Sequence, residues 1–129
     1  MKTYIIDTNI ILQFLLADIP IQYEKVKQIF LKAKNEKVQL FVPQIVIFEI
    51  NFGLTKFYQL EKSTIIKKIE SLLSTKYLQI ESTDVFKRAL NYYKDSSSLS
   101  LVDCFLLAKA ESEDAELFTF DEKLKKTET

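Results

Sequence analysis

The chain has 129 residues and no formal net charge, because 18 acidic residues balance 18 basic ones. This length suits one domain with a sizeable core, and neutrality excludes binding to nucleic acid by bulk attraction alone. With no histidine, one cysteine and one glycine, the sequence also excludes a Ser-His-Asp triad, a disulfide, a His- or Cys-ligated zinc site and glycine-rich phosphate loops.

Short apolar runs alternate with longer helical patterns along the chain. The runs predicted as strands are Thr3–Ile6, Leu40–Val42, Tyr77–Ile80 and Leu117–Phe120. The segments predicted as helices are Thr8–Leu16 (closed by Pro20), Gln22–Asn35, Gln44–Phe57, Ser63–Leu73, Ser82–Lys94 and Ser100–Glu113, with a lysine-rich tail after the last strand. This alternation predicts an α/β fold of three layers, in which a short parallel sheet of about four strands is covered by helices on both faces. No linker or internal repeat is evident, so residues 1–129 are expected to form a single domain.

Four carboxylates lie within or directly after apolar runs. They are Asp7, Glu49, Asp103 and Asp121. Acidic side chains are rarely buried unless their charge is offset, and no Lys or Arg lies within two residues of the first three. If these acids meet in space, a hard divalent cation is the simplest group to neutralise them.

Each carboxylate also has a purely structural interpretation. Asp7 suits the N-cap of a helix, Ser100 and Asp103 fit a capping box, and Asp121 is able to cap the short segment after it. Glu49 is harder to explain in this way, because its neighbours along the predicted helix are almost all apolar. A functional role is therefore favoured most strongly for Glu49.

The predicted fold offers a way to bring the four acids together. Asp7 and Asp121 follow predicted strands, and the carboxyl ends of parallel strands are where open sheets bind ligands. Oxygen-only ligands favour Mg²⁺ or Mn²⁺, and an all-carboxylate site favours phosphoryl or phosphodiester chemistry. Polar neighbours that are candidates to orient the carboxylates or a water molecule are Thr8, Asn9, Ser100 and Thr119.

In order and spacing, these residues resemble the PIN domain, and within it the VapC-type toxins of toxin–antitoxin systems. The resemblance rests on Asp7-Thr8-Asn9, on Glu49, on the segment Ser100–Asp103 and on Thr119-Phe120-Asp121. It implies a metal-dependent ribonuclease in which metal-activated water attacks an RNA phosphodiester in line. Asp7 and Asp103 would be the main metal ligands, with Glu49 completing the cluster. Asp121, supported by Thr119, would hold a second ion or position the water.

The resemblance further implies a homodimer and a small antitoxin that covers the site. The family's usual final strand has no apolar counterpart in Lys123–Thr129, so the sheet is expected to be a strand short or the tail trimmed. Arg88 is the single arginine, so RNA contact would rest on lysines, of which the candidates are Lys56, Lys67, Lys68, Lys123, Lys125 and Lys126.

Location and competing functions are also constrained by the sequence. Polar residues interrupt the apolar N-terminal stretch, which argues against a signal peptide or membrane insertion, and a lone thiol fits the cytoplasm. The main alternative to an enzyme is a PIN-fold module that binds RNA or protein without cleavage. A receiver domain and a haloacid-dehalogenase-type phosphatase are disfavoured, because neither an acidic pair nor an Asp-x-Asp motif follows the first strand.

Overall fold

The computed structural model describes residues 1–127, and over this range the chain forms three β-strands and seven α-helices. The strands are β1 (Lys2–Ile5), β2 (Val38–Val42) and β3 (Leu78–Ile80). The helices are α1 (Thr8–Leu16), α2 (Pro20–Lys34), α3 (Gln44–Lys56), α4 (Lys62–Leu73), α5 (Thr83–Asp95), α6 (Leu101–Ser112) and α7 (Glu122–Thr127). The predicted α/β class is confirmed. The lysine-rich tail was expected to lack a strand, and as far as Thr127 it forms α7 instead; positions 128 and 129 lie outside the described residues.

The chain divides into two compact units. The first, Met1–Glu81, contains the sheet and α1 to α4, and the second begins at Ser82 and contains α5 to α7. Within residues 1–127, no helix combines the length and the apolar character needed to cross a bilayer.

The sheet of the first unit is parallel, with the strand order β1-β2-β3. Leu40 and Val42 on the central strand are fully buried. Pairing continues just past the ends of the outer strands, since the Ile6 N–H donates to the Phe41 carbonyl at 2.9 Å and the Glu81 N–H to the Val42 carbonyl at 2.9 Å. The residues that follow β1 and β3 therefore lie at the carboxyl edge of the sheet.

The prediction of a fourth strand at Leu117–Phe120 is wrong. Residues 115–119 have no regular secondary structure, and the Phe118 and Phe120 side chains are 89% and 85% exposed. Leu117 and Thr119 are half-buried, so successive side chains alternate between a partly covered and an exposed side, as they do in a strand. The segment nevertheless pairs with no strand within residues 1–127. A strand is held by hydrogen bonds to a neighbouring strand, and a short hydrophobic pattern contains no information about whether that neighbour is present.

The turn between α1 and α2 is built by a buried amide and not by proline alone. Ala17 ends α1 in the left-handed conformation, with φ of 53°. The Gln13 side chain, 5% exposed, donates to Asp18 Oδ1 at 2.6 Å and accepts from the Ile19 N–H at 3.1 Å. Pro20 then begins α2 at a position where its missing N–H is harmless, so it opens the second helix instead of closing the first.

In the second unit, α5 packs along α6 through aromatic and polar contacts. Phe86 is fully buried and its ring centroid lies 4.9 Å from that of Phe105. The Tyr92 hydroxyl donates to Glu111, whose carboxylate also lies 4.0 Å from Arg88 Nη1. The hydrogen bond to Glu111, together with burial, raises the pKa of Tyr92 to about 12. These contacts hold α6 in place on α5.

Candidate metal and catalytic site

Asp7 begins α1, as its structural interpretation predicts. Its backbone is extended, with φ of −90° and ψ of 174°, and its Oδ1 accepts a hydrogen bond from the Ile10 N–H at 3.2 Å. The side chain is exposed. Because a carboxylate has two oxygens that accept hydrogen bonds or bind a cation, the cap leaves Oδ2 available. Capping and metal binding are therefore compatible roles for this residue.

The expectation that Glu49 is buried is wrong. The side chain lies on the exposed face of α3, together with Ile45 and Phe52, while Ile47 and Ile50 occupy the covered side. Residues at intervals of three and four share a helix face, so an almost wholly apolar helix still has an outer side. The argument that Glu49 needs a partner to offset burial does not hold, and its role depends on its contacts.

The contact that Glu49 makes links it to the Asp7 segment. The Thr8 hydroxyl donates to Glu49 Oε1 at 2.6 Å, across 41 positions of sequence. Thr8 directly follows the Asp7 cap, so the bond ties the start of α1 to α3. Asn9, the next candidate, is exposed in the first turn of α1. The structure thus brings Asp7, Thr8 and Glu49 together within the first unit.

Asp103 and Ser100 form a reciprocal pair at the start of α6. Ser100 Oγ accepts from the Asp103 N–H at 3.1 Å, and Asp103 Oδ2 accepts from the Ser100 N–H at 3.1 Å. The predicted capping box is confirmed, with Asp in the position usually held by Glu. Asp103 is half-buried, and its Oδ1 takes no part in the box.

Asp121 and Thr119 form a similar local arrangement before α7. Thr119 Oγ1 accepts from the Asp121 N–H at 3.0 Å, and Asp121 Oδ1 accepts from the Lys123 N–H at 2.8 Å. The predicted cap on the segment after Asp121 is confirmed. Thr119 therefore orients the backbone of Asp121, and Asp121 is exposed with Oδ2 outside this bond.

The donor chemistry of these residues fits a hard divalent cation. Each of the four carboxylates is held through one oxygen and keeps the other, and none is ion-paired with Lys or Arg within residues 1–127. Oxygen donors of this kind suit Mg²⁺ and Mn²⁺. Over the same range, no group of three or more His, Cys, Asp or Glu side chains is spaced to hold one ion. Convergence of all four acids stays a prediction.

Sequence reasoning missed one carboxylate at the sheet edge. Glu81 follows β3, and its Oε1 accepts from the Gln44 N–H at 2.9 Å, where α3 begins after Pro43 without a capping side chain of its own. The signal was present, since Glu81 comes directly after an apolar strand as Asp7 does. Its role as the cap of α3 could not be predicted, because Glu81 and Gln44 are 37 positions apart in the sequence.

Comparison with known proteins identifies the family. A sequence model described as the PIN domain matches residues 4–129. The chain belongs to the PIN domain family. A VapC ribonuclease of Aquifex aeolicus (strain VF5) is 26% identical to this PIN domain over 123 residues, which cover 95% of the chain and 90% of that protein. A search of solved structures gave no significant match.

The hydrogen bond between Thr8 and Glu49 leads to a testable prediction for this PIN domain. Thr8→Val keeps the shape of the side chain but removes the hydroxyl, so Glu49 loses the contact that orients it. If Glu49 completes a metal site, as the PIN resemblance implies, loss of a partner that orients it should lower RNA cleavage by about 10- to 100-fold. Thr8→Ser should restore cleavage, because it retains the donor.

The matched control is Thr55→Val, which removes another hydroxyl that donates a hydrogen bond, here to the Asn51 carbonyl within α3. Its cleavage rate should remain close to that of the wild-type protein. A Thr8→Val variant that cleaves RNA at the wild-type rate would show that this hydroxyl does not position Glu49 for catalysis.

Proposed function

We propose that this protein is a metal-dependent endoribonuclease that hydrolyses RNA phosphodiester bonds. Membership of the PIN family and the similarity to a VapC ribonuclease support the class of reaction. The observation that carries the proposal is how the four carboxylates are bonded. Asp7, Glu49, Asp103 and Asp121 are each oriented by a hydrogen bond through one oxygen, and none has a cationic side chain as partner within residues 1–127.

In this proposal, Asp7 and Asp103 hold Mg²⁺ or Mn²⁺, and Glu49, oriented by Thr8, completes the acidic cluster. The bound cation would offset the charge of the phosphate and acidify a water molecule. Asp121 would orient the attacking water through Oδ2, since Oδ1 is engaged by the backbone. The water oxygen would bond to phosphorus and lose a proton, one phosphorus–oxygen bond to ribose would break, and the departing oxygen would gain a proton.

The products distinguish this reaction from attack by the RNA's own 2′-hydroxyl. Hydrolysis by water leaves linear phosphomonoester ends and does not need the 2′-hydroxyl at the cleaved position. We therefore expect a substrate with a single 2′-deoxy substitution at that position to be cut at a similar rate, with ends identified by mass spectrometry. A 2′,3′-cyclic phosphate end, or loss of cleavage on that substitution, would contradict the proposal.

The second candidate is a PIN-fold module that binds RNA or protein without cleavage. It is favoured by the local structural roles of the acids, because Asp7, Asp103 and Asp121 all cap helices, and these roles explain the three residues without any catalysis. Binding of RNA by the purified protein in Mn²⁺, with no product after prolonged incubation, would favour this module over the enzyme.

We further propose that the protein acts as the toxin of a toxin–antitoxin pair and forms a homodimer in the cytoplasm. Val102 and Leu106, one turn apart on α6, are large exposed apolar residues that a protein partner is able to cover. The sequence has a single cysteine, Cys104, which is buried, so the chain has no internal disulfide, which suits a reducing compartment. A monomer mass by light scattering at micromolar concentration would contradict the homodimer, and recovery in a secreted or membrane fraction would contradict the location.

A further inference from the structure

Two exposed phenyl rings precede Asp121 in the second unit. Phe118 and Phe120 are the most exposed large apolar side chains within the described residues, at 89% and 85%. Their ring centroids lie 5.8 Å apart, with the ring planes at 69°. A folded chain gains by covering aromatic surface of this size, so a pair left open to solvent marks a binding surface.

The segment that carries the rings is fixed at both ends. On its N-terminal side, the Ala115 N–H donates to the Ala110 carbonyl at 2.8 Å, which secures the chain as it leaves α6. On its C-terminal side, Thr119 and Asp121 make the capping bonds described above, and Leu124 of α7 is buried. The two rings therefore project from a segment anchored between helices.

The charges beside the rings are mixed. Lys125 pairs with Glu122 at 3.4 Å, while Lys123 has no ion pair within residues 1–127. Glu116 and Asp121 lie on the same stretch of chain and oppose a strong attraction for phosphate. Attachment to this surface must therefore come mainly from the rings, with Lys123 available for one phosphate.

We propose that Phe118 and Phe120 form a stacking platform for unpaired bases of single-stranded RNA, next to Asp121. This inference rests on the proposed ribonuclease function and assigns two residues to substrate binding. Phenyl rings stack on the face of any base but cannot read hydrogen-bonding edges, so binding is tolerant of sequence. Bases within a duplex are already stacked on each other, so the platform selects unpaired RNA.

The test measures RNA affinity separately from cleavage. Fluorescence anisotropy in EDTA follows a labelled single-stranded RNA and a duplex of the same sequence, binding to the full chain. We expect Phe118→Ala combined with Phe120→Ala to weaken binding of the single strand by about 10-fold or more, and to leave duplex binding unchanged. Replacing both residues by Tyr should restore affinity to within about twofold, since the aromatic faces remain.

A matched control exists in the first unit. Phe57 is 77% exposed and meets Phe52 edge-on at 6.2 Å, so Phe57→Ala removes a comparable ring without touching the platform. It should leave RNA affinity unchanged. Equal losses for Phe57→Ala and for the Phe118 and Phe120 variant would overturn the inference, because the effect would then be general loss of apolar surface. Unchanged affinity of the Phe118 and Phe120 variant for the single strand would also overturn it.

Failure of the platform and failure of the ribonuclease proposal give different results. If the wild-type protein cleaves RNA in Mn²⁺ and the alanine variant does so with an unchanged KM, the platform is overturned and the nuclease stands. If the wild-type protein binds single-stranded RNA through both rings but yields no product, the platform is supported and the nuclease is overturned.

Discussion

Asp7→Asn and Asp103→Asn should each reduce RNA cleavage by at least about 100-fold, while the fold is retained. That factor is the upper end for residues that only orient metal ligands, and direct ligands should matter at least as much. Asn caps helices about as well as Asp, so the hydrogen bond to the Ile10 N–H survives in the first variant. The substitution therefore removes charge and metal affinity but keeps the structural role. Initial rates of RNA cleavage in Mn²⁺ and the melting temperature are the two measurements.

The control for this pair is Asp84→Asn. Asp84 is an exposed acid in the first turn of α5, and the proposal gives it no part in the site. Its cleavage rate should match that of the wild-type protein. If Asp7→Asn and Asp103→Asn instead unfold the protein, the carboxylates are needed for structure. If both variants remain folded and cleave RNA at the wild-type rate, the activity does not depend on these acids.

Removing divalent cations should abolish cleavage, and restoring them should recover it. EDTA is expected to stop product formation, and excess Mn²⁺ or Mg²⁺ to restart it. A cation that binds only the folded chain also stabilises it, by about 2.7 kcal/mol when its concentration is 100 times its dissociation constant. We therefore expect Mn²⁺ to raise the melting temperature of the wild-type protein by several degrees.

The double variant Asp7→Asn with Asp103→Asn is the control for this melting experiment. It should lose most of the stabilisation by Mn²⁺, because its oxygen donors are neutral amides. Cleavage that persists in EDTA would contradict a metal-dependent reaction, or would reveal a contaminating nuclease if the double variant also showed it. An equal rise in melting temperature for wild type and double variant would place the cation elsewhere on the chain.

Most of the fold was predictable because hydrophobic periodicity and caps act locally. The three strands of the sheet and the six main helices lie close to their predicted bounds, and Ser100 begins α6 as expected. Leu117–Phe120 was predicted wrongly, because pairing with a neighbouring strand is a long-range event that a four-residue pattern does not encode. Pro20 was misread for a related reason, since Gln13 and Ala17 organise the turn before it.

For the candidate site, the local hydrogen bonds of the acids were predictable from the sequence, but their wider surroundings were not. The caps made by Asp7 and Asp103 were predictable, because the bonded groups are three positions apart. The bond from Thr8 to Glu49 and the exposure of Glu49 depend on how α1 and α3 meet, which residue spacing within either helix does not specify. For the same reason Glu81 was not recognised as the cap of α3.

The local bonds to the acids have a consequence for how a ligand would be taken up. Asp7, Asp103 and Asp121 are each restricted by a hydrogen bond to backbone no more than three positions away. Their side-chain torsions are thus limited before any ligand arrives, and less rotational freedom remains to be lost on binding. Such preorganisation presents the carboxylates in defined directions before a ligand binds.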